Sequence, residues 1–292
     1  MNTQTKNLIL VPFNLLYRIA PETELKLMFR LKQKYPLNLK NPKTYNEKLQ
    51  WIKLYDKHPD MPRCCDKFTV RQFVEEQGCG HLLNELYWEG TDPAQIPYDS
   101  LPEQFVIKVT HGSTYNIIVK DKAQLDIPET SKKLRAWLKS QFIACYGEWF
   151  YGKVPPRIIV EKYLEDPEIG QLLDYKIFCF NGVAKLVDVH SGRFGAHKRN
   201  IYDRDWNFLE KVNFKYPHGP VLPKPAELSE MLTCAETLAA PFTHARVDFF
   251  LVQGKLIFGE VTFTNGAGFD PITPREFDLE MGSWLQLPRE KE

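Results

Sequence analysis

Two lysines, one turn of small residues and two carboxylates are the parts of this sequence with the clearest chemical use. Lys108 stands near the end of the apolar run "QFVIKV" (104–109), and "THGST" (110–114) follows directly. An ammonium at the end of a buried strand, beside a turn rich in N–H groups and hydroxyls, is an anion-binding arrangement. His111, Gly112 and Ser113 form the centre of that turn. It is not a Walker loop, because GxxxxGK[ST] is absent. Lys67, in "DKFTVRQF" (66–73), opens a predicted helix, whose N-terminal dipole also attracts anions. For each lysine the plain alternative is a solvated charge, and for the turn an ordinary strand end.

The carboxylates lie in "RVDFFLVQGKLIFGEVTF" (246–263), which reads as a hairpin turning near Gly254. A three-residue loop, Val252-Gln253-Gly254, would set Glu260 opposite Arg246 and Asp248 opposite Phe258. Period-two alternation then puts Arg246, Asp248, Glu260 and Thr262 on one face, and Val247, Phe249, Leu251, Ile257 and Val261 on the other. Two diagonal carboxylates can hold a hard cation such as Mg²⁺. A two-residue loop would separate them onto opposite faces. A cross-strand Arg246–Glu260 ion pair is the competing reading.

Weaker signals surround these. In "RIIVEKYL" (157–164) a charged pair, Glu161-Lys162, interrupts a buried-type strand before Tyr163 and Leu164. It reads as a hinge whose backbone contacts a flat ring, or as a strand end reaching solvent. "SGRFGAHKRN" (191–200) reads as a basic loop in which Arg193, Lys198 and Arg199 suit a carboxylate or phosphate, or simply solvent. His190 and His197 read as surface residues. Asp203-Arg204-Asp205 is a DxD pattern, the basis of a rival glycosyltransferase reading with a nucleotide sugar and metal.

The elements that must carry these groups alternate without regular βαβ order, so the fold class expected is α+β. Residues 1–58 look helical. Thr44 and Glu47 have capping-box spacing ahead of a helix through Tyr55. Further helices are expected over 66–80, 129–146 and about 225–239. Strands are expected at "LLNELYW" (82–88), 104–109, 115–120 and 157–164. Asn181-Gly182 marks a second hairpin in "LLDYKIFCFNGVAKLVDVH" (172–190).

The 292 residues are enough for two lobes. With 38 Lys+Arg against 37 Asp+Glu, no net field draws nucleic acid or an anionic membrane. Six cysteines with no CxxC give neither a zinc pattern nor a disulfide scaffold, which suits a reducing, cytoplasmic setting. The apolar run "LILVPFNLLY" (8–17) is too short to span a bilayer. It is expected to pack on the body, with peripheral contact at the inner face of a membrane as the alternative.

Taken in order, "DK", "VIKV-HGS", "EKYL" and "RVDF…FGEVTF" resemble the ATP-grasp superfamily. "LNLKNPKTYNEKLQWIKLYD" (37–56), "KIFCFNG" (176–182) and "GEVTFTNGAGF" (259–269) are similar to signatures of its TupA-like, teichuronopeptide-biosynthesis branch. The resemblance spans about residues 25–285. It implies two α+β lobes gripping ATP, after a helical segment over 1–58. The first part of the grip would be 59–102, the lid subdomain 103–164 and the metal-bearing lobe 165–292. It implies that Lys67 and Lys108 contact ATP phosphates and that His111-Gly112-Ser113 close over them. Glu161, Lys162, Tyr163 and Leu164 would meet adenine, and Asp174 would lie near the ribose. Asp248 and Glu260 would ligate Mg²⁺, with Arg246 facing the reacting phosphoryl group.

The chemistry implied is phosphorylation of a carboxylate and displacement by an amine, in assembly of bacterial surface polysaccharide. The partners would be a carboxylate-bearing sugar and an amine. Kinase-like transfer to a hydroxyl, and a noncatalytic ATP-grasp shell, are the variants. The chain departs from the pattern at Thr114, where a second glycine is common, at Thr262, where asparagine is common, and in "TNGAG", which lacks a proline.

Overall fold

The computed structural model describes residues 3–112, 114–140, 143–166, 170, 172–192 and 195–288. Helices α1 (Thr3–Ile19), α2 (Pro21–Gln33) and α3 (Tyr45–Tyr55) come first, followed by the short α4 (Met61–Cys65) and α5 (Thr69–Glu76). The capping box at α3 is present in full: Thr44 accepts from the Glu47 N–H, and the Glu47 carboxylate accepts from the Thr44 N–H. Helix α1 packs on α2 and on the turn at Ala144–Tyr146. No helix among the described residues is long and apolar enough to cross a membrane.

Two antiparallel sheets follow. The first has the order β1-β4-β2-β3, from β1 (Leu86–Gly90), β2 (Phe105–Val109), β3 (Asn116–Val119) and β4 (Ile158–Lys162). Helix α6 (Ile127–Leu138) covers it through Leu134, which joins Phe105, Ile107, Val109 and Val160 in a separate small core. The helical period in the sequence runs on to Tyr146, but α6 stops at Leu138 and a distinct turn holds Ala144–Tyr146.

The second sheet has the order β7-β6-β5-β8-β9, from β5 (Asp174–Phe180), β6 (Val183–Ser191), β7 (Lys198–Asp203), β8 (His244–Val252) and β9 (Lys255–Thr262). Helix α7 (Leu228–Ala239) packs on its apolar face. Tyr45 of α3 and Trp284 of α8 (Arg275–Trp284) reach Phe180 on the opposite face. The stretch 191–200 is therefore not all loop, since Lys198–Asn200 belong to β7. Because the main core and the first sheet's core are separate, a cleft can open between them.

Candidate active site

The first wall of the cleft is tied together by charge. Glu161 on β4 is buried, and its two oxygens accept from Lys108 Nζ at 2.6 Å and Arg71 Nη1 at 3.2 Å. The interruption of the apolar strand is thus a buried ion pair at Glu161, while Lys162 beside it is the exposed strand end. Lys162 has its main-chain groups engaged, donating to Glu85 O and accepting from Asn84 Nδ2, both at 2.9 Å. Tyr163 lies under Lys120 Nζ, and Leu164 is half-buried beyond it. These residues lead out of the first sheet towards β5.

Lys67 holds the turn after β2. Its Nζ donates to Gly112 O at 2.7 Å and its N–H to Thr110 O at 3.3 Å. Asp66 Oδ1 accepts from the Phe68 and Thr69 N–H groups at the start of α5. His111 Nε2 meets Ser140 O at 3.1 Å, and Tyr115 stacks on Trp137 of α6 with centroids 5.1 Å apart. The turn is thereby anchored at Trp137 of α6 and at Ser140 just beyond it. Burial holds the Lys67 ammonium below its ordinary range, against the pull of Glu260. Ser113 lies outside the described residues.

The second wall is the β8–β9 hairpin, and its register differs from the expected one. The loop is the two-residue turn Gln253-Gly254, both with positive φ, and Val252 faces Lys255. That alone would have put the carboxylates on opposite faces. A bulge between Asp248 and Phe249 on one strand, and Phe258 and Glu260 on the other, shifts the register by one residue. Asp248 therefore stands directly opposite Glu260, and Arg246 opposite Thr262. Gly259 is the extra residue. A Cβ there would meet Asp248 O at 3.0 Å, a tight contact that glycine avoids. The bulge also reassigns the inner face: Leu256 and Phe258 are buried opposite Leu251 and Phe249, while Ile257 pairs with Phe250 on the other side.

The site face continues across four strands. Asp188, Lys176, Asp248 and Glu260 are consecutive cross-strand partners, so one row of charge runs over β6, β5, β8 and β9, with Lys176 between two aspartates and Asp248 beside Glu260. Lys176 pairs with Asp248 and, at 2.8 Å, with Asp174. Arg246 reaches Asp248 through Nε at 2.7 Å and Nη2 at 2.8 Å, Glu260 Oε1 at 3.2 Å and Thr262 Oγ1 at 3.1 Å. Its Nη1 donates to Asn265 Oδ1. The Asp248 side chain is 2% exposed and that of Glu260 44%. The cross-strand salt bridge Arg246–Glu260 and the paired carboxylates therefore coexist.

Arg199 is part of this buried network. It donates to both oxygens of Asp188 and is 4% exposed, which takes it out of the acceptor-binding role that a surface loop would allow. Lys198 is half-buried beside it on β7, and Arg193 lies outside the described residues. His190 is buried rather than on the surface, with Nε2 at 3.0 Å from Asp188 Oδ2 and Nδ1 at 3.0 Å from His197 Nε2. Burial acts to raise the Asp188 carboxyl, but Arg199 and His190 hold it well below the usual carboxylate range. Asp203 is spent on its own turn, accepting from the N–H groups of Asp205 and Asn207 and from Asn207 Nδ2. That use does not favour a DxD metal site.

A third group of residues escaped the sequence reading altogether. Asn46, Gln50 and Lys53 repeat at i, i+4 and i+7, one stripe of α3. They donate to the carbonyls of Asp270, of Gly268 (2.7 Å) and of Ala267 (2.8 Å) respectively. The loop they hold has three consecutive left-handed residues, Gly266, Ala267 and Gly268, of which alanine is the strained one. A Cβ at Gly268 would lie 2.5 Å from Gln50 Nε2. Lys53 also donates to Tyr146 O at 2.6 Å and is fully buried.

Burial lowers the Lys53 ammonium to about 7, while Glu148 and Glu24 pull it up. Lys53→Met is expected to cost about 3 kcal/mol in urea unfolding, since two carbonyls lose a donor and two carboxyls their cation. Burial raises Glu24 and Glu148 to about 7 already, with Lys53 opposing. A raised carboxyl stabilises the fold at low pH and loses that contribution as pH rises. The deficit should therefore grow from pH 5 to pH 8.

Between the walls lies a cleft of about 610 Å³. It brings together Lys67, His111, Gly112, Arg246 and Glu260 with Thr262, Tyr146, Glu148, Lys32, Lys215 and the loop Gly266–Asp270. Lys108, Glu161 and Asp248 stand behind its surface, linked to it through Arg246 and through the fields of Lys108 and Glu161 on Lys67. Asp174 is held by Lys176. Lys198 and Arg199 do not border this cleft.

A lid turn on one sheet facing a basic and acidic hairpin of another, across a deep cleft, is the architecture of the ATP-grasp class. The chain belongs to the TupA-like ATP-grasp family, whose model matches residues 47–286. No curated protein matches it. Among solved structures it is similar to D-alanine–D-alanine ligase from Bacillus anthracis, at 17% identity and a TM-score of 0.45 over 81% of this chain and 67% of that one. It is also similar to L-amino acid ligase from Bacillus licheniformis, at 15% and 0.48 over 86% and 57%. D-alanine–D-alanine ligase from Helicobacter pylori gives 14% and 0.42 over 77% and 61%.

A family of this kind implies ATP with Mg²⁺, and the donor set is oxygen-only as the ion requires, with Glu260 open to the cleft and both Asp248 oxygens held by Arg246 and Lys176. Asp248 and Glu260 offer oxygens only, side by side, with Thr262 Oγ1 3.5 Å from Glu260 Oε1. Among the described residues no group of three or more His, Cys, Asp and Glu could hold a metal. Two carboxylates with the remaining positions left to phosphate oxygens and water is what Mg²⁺ accepts.

Proposed function

We propose that this protein is an ATP-dependent carboxylate–amine ligase. Mg·ATP would sit between the sheets, its phosphates toward Lys67, Lys108 and the turn His111–Gly112, its metal on Asp248 and Glu260. Mg²⁺ bound there would neutralise charge on the transferring phosphoryl group. Phosphoryl transfer is mostly positioning and charge neutralisation, which is what these fixed cations supply. The carboxylate substrate would become an acyl phosphate that an amine then attacks. The adenine ring would lie against Glu161–Leu164, and Asp174 near the ribose.

One observation carries this reading: Arg246 and Glu260 line the cleft together with Lys67, and Asp248 stands behind them on the same hairpin face. The branch to which the chain belongs points to surface-polysaccharide assembly in the cytoplasm, at the inner face of the membrane. A uronic acid is then the natural acceptor, amidated or joined to an amino acid.

Thermal melting with Mg·ATP, Mg·ADP and UDP-sugars with Mn²⁺ tests it. Saturation at a hundred times the dissociation constant adds ~2.7 kcal/mol, a readable rise in Tm. Adenine nucleotides are expected to give that rise. A rise with UDP-sugars alone would overturn the ligase reading.

A further inference from the structure

Glu148 is a cleft carboxylate that the chemistry above leaves unused. Glu148 lies in the wall of the cleft, in the segment between α6 and β4. Its Oε1 accepts from Thr264 Oγ1, two residues beyond β9. Glu260, Cys65 and Tyr151 line the same cleft as Glu148. Behind it Lys53 is fixed on Tyr146 O and Ala267 O, and Glu24 lies fully buried behind Lys53.

A carboxylate in this position has a fixed anchor, an open side and a cation to the rear. It is not needed for phosphates, which it would repel. Resting on the ligase reading, we infer that Glu148 receives the amine: its carboxylate binds the incoming ammonium and takes one proton from it. The amine R–NH₂ so formed attacks the acyl carbon. The N–C bond forms and the C–O bond to phosphate breaks with its electron pair. The second amine proton leaves with phosphate as HPO₄²⁻, and Glu148 returns its own proton to water.

The groups facing Glu148 set the pH at which it works. Lys53 comes from α3, Cys65 from α4, Tyr151 from its own segment and Thr264 from beyond β9, with Glu24 of α2 acting on Lys53. Burial raises the Glu148 carboxyl to about 7, and Lys53 and the Thr264 hydrogen bond draw it back. Below that pH the carboxyl is protonated and cannot accept, so ligation of a protonated amine should fall as pH drops through about 7.

The first test needs no acceptor. In ¹³C-carboxyl-glutamate-labelled protein saturated with Mg·ATP, the Glu148 resonance is identified by its loss in Glu148→Gln, with Glu148→Asp as a second reference. It should move on adding methylammonium and stay still with tetramethylammonium, which has no N–H. A resonance that ignores both, or responds equally to both, overturns the assignment. With glucuronate as acceptor, Glu148→Gln should lose about 100-fold or more with ammonium chloride, the scale of general-base catalysis. It should form hydroxamate from hydroxylamine, already unprotonated at neutral pH, within about 3-fold of wild type. Equal losses with both nucleophiles would also overturn the assignment. If wild-type protein shows no Tm rise with Mg·ATP, the ligase reading itself falls, a separate failure.

Discussion

Glu260→Gln is expected to lower ATP turnover about 10³-fold while changing stability by less than about 1 kcal/mol. The asymmetry comes from where the hairpin puts its two carboxylates. Glu260 is 44% exposed and its ion pair with Arg246, at 3.2 Å, is screened by solvent, so the fold depends little on its charge. Its amide isostere keeps one oxygen for Arg246 but cannot offer a cation the same negative charge. Asp248 makes a poorer probe. It is 2% exposed and holds both Arg246 and Lys176, so neutralising it would leave two buried cations short of a partner. Steady-state ATP hydrolysis and thermal melting on the same Glu260→Gln sample check the prediction. Turnover within threefold of wild type would remove Glu260 from the metal site.

The family and the α+β class were legible because they rest on local signals. The capping box at Thr44, the Asn181-Gly182 turn and the ordered motifs each need only a few neighbouring residues. The hairpin face was reached by a wrong register. Three loop residues were assumed where two exist, and the bulge at Gly259 restored the parity that the shorter loop removes. The isolated glycine inside an apolar strand was the available sign of that bulge.

What stayed hidden is the charge inside the fold. Periodicity arguments send Lys, Arg, His and Asp outward, so Arg199 and His190 were read as surface groups and Lys176 drew no notice. Each is buried because its partners arrive from other strands, and no window of one strand contains them. The same holds for Lys53, whose acceptors lie 93 and 214 residues away in the chain. The helix pattern that ran past Leu138 failed for the opposite reason. The apolar residues there do face the body, but in a separate turn: Cys145 is buried, and its N–H donates to Asn14 of α1.

Lys176→Met should cost about 3–5 kcal/mol in denaturant unfolding. Lys176 is 4% exposed and sits in the middle of a row whose neighbours on both sides are acidic, Asp188 and Asp248, with Asp174 two residues along its own strand. Methionine fills the volume, so packing is kept and the loss reports charge. The anions left behind have no water to turn to. Arg246 remains with Asp248, and Arg199 with Asp188, which bounds the loss below complete unfolding. The deficit should shrink as pH falls, because burial already raises the Asp248 carboxyl and, once protonated, it no longer needs the cation. A deficit constant between pH 7 and pH 4 would mean that Lys176 acts through its aliphatic stem alone. The double change Lys176→Met with Asp248→Asn separates the two terms: if the row is held by charge, the pair should be less unstable than the sum of the single losses.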